Sequence, residues 1–206
     1  MTTLAVHSET RRSIARDVAV GAVSAMLLVG FNAARISAGL DGSSLIPMLG
    51  AFAGLGMTGV AVARAAGLRP GDYGLARPRA MPSLAGVAVC ATAFLAVVLA
   101  AGATGRPSPS TLAAAGLLYF GAVAPAEELI TRGLLYGAVE RHAGTPAAIL
   151  VTAMVFAAAH LPVYGLAALP TMLAAGLLLG WLRAWSGSLA APVAAHALAD
   201  LLALAV

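Results

Sequence analysis

The sequence predicts an all-α fold: a polytopic transmembrane helical bundle of about seven spans with a cytoplasmic N-terminus. Three observations carry this. Hydrophobic residues make up 61% of the chain and charged residues only 10%, whereas a soluble domain is about half apolar and about a quarter charged. A single core of 206 residues cannot hide that much apolar surface, so the chain meets lipid. The apolar residues fall in runs close to the roughly 20 residues a helix needs to cross a bilayer. Arginines fall between the runs with a bias to one side.

The runs are 18–34, 46–66, 82–102, 111–130, 146–161, 165–182 and 187–205. They form one integral membrane domain over 1–206. Its first 17 residues are a polar cytoplasmic segment, and 111–206 holds the helices with the chemically distinctive motifs. Thr145-Pro146 reads as the cap and first helical residue of the fifth run. Arg11, Arg12 and Arg16 precede the first run. Arg64, Arg69, Arg77 and Arg79 surround the second connection, Arg132 and Arg141 lie at or beyond the end of the fourth run, and Arg183 ends the sixth. Seven alternating crossings put all of these on one side and leave only Arg35 and Arg106 on the other. The positive-inside rule then sets the N-terminus inside and the C-terminus outside.

Loops are marked by Leu68-Arg69-Pro70-Gly71, Arg77-Pro78 and Arg106-Pro107-Ser108-Pro109. The pairs Gly50/Gly54, Gly133/Gly137 and Gly176/Gly180 offer close helix–helix approach. Trp181, Arg183 and Trp185 read as an interfacial anchor. The net charge of +4 does not point to nucleic acid, because the arginines are scattered and form no basic face. The lone Cys90 excludes a disulfide within the chain and reads as a small packing residue. The polar start, Met1 to Asp17, argues against a cleavable signal peptide.

Ionisable groups inside membrane spans cost roughly 2.5–3.5 kcal/mol each at a helix centre on insertion scales, so they mark function. Three clusters occur, all in the second half. In Ala126-Glu127-Glu128-Leu129-Ile130-Thr131-Arg132, Glu128 and Arg132 share a helix face and pair, while Glu127 points about 100° away. Pro125 kinks the helix or starts a new segment. His160 follows Phe156 by one turn, and His196 precedes Asp200 by one turn. At 1.5 Å per residue, Glu127 lies about 22 Å, His160 about 21 Å and His196 about 15 Å from the inner boundary. Similar depth lets the three helices build one site with two histidines and at least two carboxylates. Glu140, Arg141 and His142 read instead as a solvated loop.

These motifs resemble those of the CPBP family, which contains the type II CAAX prenyl endopeptidases and Ras-converting enzymes. The residues are Glu127-Glu128-x-x-x-Arg132, Phe156-x-x-x-His160 and His196-x-x-x-Asp200, in that order on separate spans. The segment Leu68 to Leu75 is similar to a short Gly-Leu segment upstream in bacterial members. Asp200 stands where asparagine is common among CAAX-processing members. The resemblance implies an intramembrane endopeptidase in a bacterial plasma membrane, its cavity toward the cytoplasm. Its partners would be membrane lipid and a peptide or protein substrate that is lipidated in some members. It implies that Glu127 with His160 activates water, that His196 and Asp200 face the oxyanion, and that Glu128 and Arg132 hold the helix and tune Glu127.

No serine or cysteine sits beside a base within a span, so attack by water is the chemistry left. Relatives are often described as metalloproteases, and Glu127, His160 and His196 are chemically suitable Zn²⁺ ligands. A mechanism on glutamate alone is equally writable. Two other classes share these residues: a non-catalytic immunity or chaperone-like membrane partner, and a proton-coupled transporter with Glu127 and His160 as relay. A transporter predicts a repeat relating the two halves, and the sequence shows none.

Overall fold

The computed structural model describes residues 3–40, 45–100 and 108–204. Arg106, Pro107 and the expected run ends at 102 and 205 lie outside these. The described residues form helices and the short connections between them, with no strand among them. The helices are α1 (Thr3–Ser37), α2 (Leu45–Ala65), α3 (Ala80–Ala100), α4 (Pro109–Leu118), α5 (Ala124–Glu128), α6 (Tyr136–Tyr164), α7 (Leu169–Ser186) and α8 (Ala190–Ala203). Wider π-helical turns at Tyr119–Val123 and Leu129–Leu135 join α4, α5 and α6 into one run.

Five stretches are long and apolar enough to cross a membrane. The fourth, Ser110–Tyr164, is 55 residues long and contains two of the expected spans. Gly144, at φ 81° and ψ 170°, breaks it. A left-handed φ is free for glycine and strained for other residues. Glu127 and His160 lie at nearly equal chain distance on either side of this break, so folding back there brings them level. The Thr145 hydroxyl donates to Glu140 Oε1 at 2.8 Å. The last expected span is α8 alone, 14 residues or about 21 Å long, shorter than the roughly 30 Å hydrocarbon core.

The segments run alternately between two ends of the bundle. At one end Arg79 N–H donates to Ser186 O at 3.1 Å, and Leu189 N–H to Gly74 O at 2.9 Å. This ties the start of α3 and the 70–75 loop to the turn between α7 and α8. At the same end Arg141 grips Asp17 of α1 with two bonds of 2.8 and 2.9 Å, and His142 Nε2 lies 2.8 Å from the same carboxylate. Arg141 and His142 are therefore not a free solvated loop: they dock α6 on α1, and Tyr136 and Thr145 both donate to Glu140. Exposed Arg16, Arg64, Arg69, Arg77, Arg79 and Arg141 all lie at this arginine end. Arg35 lies at the other end, bonded to Asn32 and to Leu40 O.

Close approach is realised at two of the three expected small-residue pairs. A methyl group at Gly176 would stand 2.8 Å from Ala153 Cα, and one at Gly137 would stand 2.6 Å from Asp72 O. Around Gly50 and Gly54 there is open space. Gly176→Leu would overpack the α6–α7 seam, a change that costs about 1–3 kcal/mol. The expected result is a lower thermal midpoint in detergent; an unchanged midpoint would show that α7 does not sit this close to α6. Trp181 and Trp185 stack at 4.9 Å and are partly exposed, as an anchor would be. Arg183 is not part of that anchor. It is buried, over the Tyr136 ring at 5.2 Å, with Nε donating to Arg132 O at 3.1 Å.

Candidate active site

Local backbone geometry sets the first cluster. Pro125 has no N–H to give the carbonyl four residues back, and its ring crowds that carbonyl. The helix widens just before it, with Ala124 N–H reaching Tyr119 O. Directly after the glutamates it widens again. Tyr136 N–H bonds to Thr131 O and Gly133 O and passes over Arg132 O, the carbonyl that Arg183 takes. Thr131 Oγ1 caps Glu127 O at 2.6 Å. π-turns of this kind recur at functional sites, and here side chains serve the backbone groups they release.

The expected pair is present. Arg132 Nη1 donates to Glu128 Oε1 at 2.9 Å, and both side chains are fully buried. Arg132 also donates to Thr131 Oγ1 at 3.0 Å and to Gly176 O of α7 at 3.1 Å, with its guanidinium 4.6 Å from the centre of the Phe156 ring. Glu128 then reaches α8, where His196 Nδ1 lies 2.9 Å from Glu128 Oε1. The sequence could not show this last bond, because it depends on how two helices are rotated against each other.

Glu127 is buried and faces the two imidazoles. Its Oε2 lies 3.8 Å from His160 Nε2 and 3.9 Å from His196 Nε2, and it has no hydrogen-bond partner. Glu128 Oε2 and Arg132 Nε are likewise without partners, so three of the four such buried side-chain atoms among the described residues lie in this cluster. In a low-dielectric interior an unpaired polar atom is costly, and its concentration in one place marks a functional site. His160 Nδ1 lies 2.8 Å from Phe156 O. A carbonyl only accepts, so Nδ1 carries a proton, and Nε2 is turned toward Glu127. Asp200 Oδ2 is 3.7 Å from His196 Nε2 and is partly exposed. All six expected side chains thus converge.

Sequence reasoning placed Phe156 only as a motif letter. It packs against Arg132, against His160 at 4.3 Å and against His196 at 5.5 Å. Tyr164 stacks on His160 at 5.9 Å. A cavity of about 240 Å³ adjoins His160, His196 and Asp200, walled by Phe94, Val97 and Val98 of α3 and by Met172 and Leu179 of α7. Nothing in the periodicity of α3 singled those residues out.

The expected zinc ligands were Glu127, His160 and His196. Tetrahedral zinc with bonds near 2.1 Å sets its ligand atoms about 3.4 Å apart. The separations from Glu127 are 3.8 and 3.9 Å, and no trio of His, Cys, Asp or Glu among the described residues is arranged to hold a metal. To hold the ion these groups would have to draw a few tenths of an ångström closer together.

Fold and site together define an integral membrane protein, an all-α bundle with a buried glutamate–histidine centre. Residues 108–202 match the family model of the type II CAAX prenyl endopeptidase Rce1-like proteins. Neither a curated protein nor a solved structure matches the chain. At the level of the family the activity is that of a protease of the membrane, acting on peptide or protein.

The cavity lies toward the end of the bundle opposite the arginines. Its residues come from the late turns of α3, α6 and α8 and the early half of α7.

Proposed function

We propose that the chain is an intramembrane endopeptidase that hydrolyses a peptide bond with water activated by Glu127 and His160. The observation that supports this most is the unpartnered Glu127 Oε2, which faces two Nε2 atoms at 3.8 and 3.9 Å. Those gaps are too long for direct hydrogen bonds and suit one water between the groups. Such a water gives one hydrogen to Glu127 Oε2 and the other to His160 Nε2, and keeps a lone pair for the substrate carbonyl.

As the water oxygen bonds to the carbonyl carbon, Glu127 takes its proton. The carbonyl oxygen becomes an oxyanion and meets His196, whose Nδ1 is held by Glu128. Carrying a proton on Nε2, His196 donates to that oxyanion. The C–N bond then breaks, and the proton on Glu127 passes to the departing amine. Arg132 and Glu128 keep His196 in line through the 2.9 Å contacts on either side of Glu128. Asp200 stands beside His196 at the cavity and orients its ring or the substrate's N–H. CAAX-type processing is the reading the family favours, with the departure at Asp200 falling on the residue that meets substrate.

The test is His160→Ala. It removes one acceptor of the water and leaves the Glu128–Arg132–His196 chain untouched. The expected result is a fall in kcat of about a hundredfold or more, with the melting profile retained. Turnover at the wild-type rate would remove His160 from the mechanism.

A further inference from the structure

We infer that the flank of the bundle between α1 and α6 holds an anionic phospholipid, with one acyl chain in an apolar groove and the phosphate on Arg16, Arg141 and His142. This groove shares no lining residue with the cavity beside His160, and nothing in its chemistry depends on hydrolysis.

The shape of the groove points to a single hydrocarbon chain. Gly144 breaks α6 into two halves, and α1 lies beside both. Where the three meet they leave a groove of about 380 Å³. It is walled by Gly21, Ala22 and Ala25 of α1, by Ala138 ahead of the break and by Val151 and Val155 beyond it. These side chains are too small to fill it. Even a methyl group added at Gly21 would only touch Leu135 and Ala138, at 3.5 and 3.7 Å. Ala22 is exposed and Ala25, Val151 and Val155 are half-buried, so the groove opens sideways, where a membrane presents acyl chains. From Asp17 at its head to Ala25, eight positions on, is about 12 Å along α1. That is less than half of the roughly 30 Å hydrocarbon core. A partner helix would have to cross the whole core, whereas one acyl chain occupies one leaflet.

The charge at the head of the groove selects the lipid. Asp17 is 2% exposed and accepts from Arg141 at 2.8 and 2.9 Å and from Arg16 at 3.0 Å, with His142 Nε2 2.8 Å away. One carboxylate thus meets two guanidiniums and an imidazole. The cluster carries one positive charge in excess with His142 neutral, and two with it protonated. The Arg16, Arg141 and His142 side chains are 40%, 30% and 34% exposed, against 1% for Asp17. The excess charge is therefore turned outward while the carboxylate is covered. Two further carboxylates, Glu140 and Asp72, do not line the groove. Glu140 accepts from Tyr136 and Thr145, and Asp72 from Arg69 N–H at 2.7 Å. Guanidinium forks match phosphate oxygens, and basic pockets between membrane helices take anionic head groups. A zwitterionic lipid brings a cation of its own to the same place and gains less.

The test is thermal melting of the purified full chain in a neutral detergent, with dioleoyl phosphatidylglycerol or dioleoyl phosphatidylcholine added. At about a hundredfold excess over its dissociation constant, the anionic lipid is expected to raise the midpoint by about 5–10 °C. The zwitterionic lipid should give less than half of that rise. Ala22→Phe fills the groove from its exposed rim and should lose most of the rise while melting like the wild type without lipid. Ala25→Leu fills it further along and serves if the first variant does not fold. Arg16→Gln should keep less than half of the rise. Arg64→Gln removes an exposed arginine at the same end of the bundle that does not line this groove, and should keep all of it. Equal rises with the two lipids overturn the inference. So does a full rise in the groove-filling variants, or a loss in Arg64→Gln as large as that in Arg16→Gln.

Discussion

Glu127→Gln is expected to lower peptide cleavage by about a thousandfold, within the range a general base contributes, and to leave the protein folded. The two halves of this result have separate physical causes. An amide cannot take the proton of the attacking water, so the chemical step loses its base. The fold does not notice, because Glu127 Oε2 holds nothing: it has no hydrogen-bond partner and stands 3.8 and 3.9 Å from the imidazoles. Replacing a buried carboxyl group with an amide of the same shape breaks no hydrogen bond at Oε2 and lowers the cost of holding a polar group in the membrane interior. Purified variant and wild type should therefore melt together while kcat differs. Cleavage within a few-fold of wild type would mean that another group activates the water. A variant that fails to fold would mean that Glu127 is a structural residue.

The parts of this arrangement that were legible beforehand follow from the helix alone. Glu128 with Arg132 and His196 with Asp200 are one turn apart, and one turn apart means one face. Glu127, His160 and His196 met because their depths, counted along separate helices, agreed. What could not be read is the rotation and lateral order of helices, which packing decides. The sequence does not show that Glu128 serves His196 rather than only Arg132. It does not show that α3 walls the cavity, that Arg183 turns inward to a carbonyl freed by a π-turn, or that Asp17 accepts Arg141 from 124 positions away. The arginine pattern did group the exposed Arg16, Arg64, Arg69, Arg77, Arg79 and Arg141 at one end of the bundle. Gly144 shows a milder limit. The sequence marked a boundary at Thr145-Pro146, and the break itself sits one residue earlier, where only the backbone angles identify it.

Arg132→Met should be the most destabilising change in the site, by about 3–5 kcal/mol, the usual result of breaking a buried ion pair from one side. The guanidinium is fully buried and holds Glu128, Thr131 and the Gly176 carbonyl at 2.9, 3.0 and 3.1 Å, so it joins the π-turn to α7 as well as neutralising a carboxylate. Methionine fills much of the volume and keeps contact with Phe156, but it takes the guanidinium partner from the Glu128 carboxyl group in a place where no water can solvate it. Neutralising that carboxylate as well should return part of the loss. The double variant Arg132→Met, Glu128→Gln is accordingly expected to melt above the single Arg132→Met variant although it carries one more substitution. That inversion distinguishes a stranded charge from lost packing, because lost packing would make the two changes additive. Neither variant should cleave peptide well. In the single one the helix carrying Glu127 is loosened, and in the double one His196 no longer has a charged partner to hold its Nδ1. The comparison with Glu127→Gln then separates the two carboxylates that sit side by side in the sequence. Loss of Glu127 removes chemistry from an intact fold, whereas disturbance of Glu128 and its arginine removes the scaffold on which the chemistry depends.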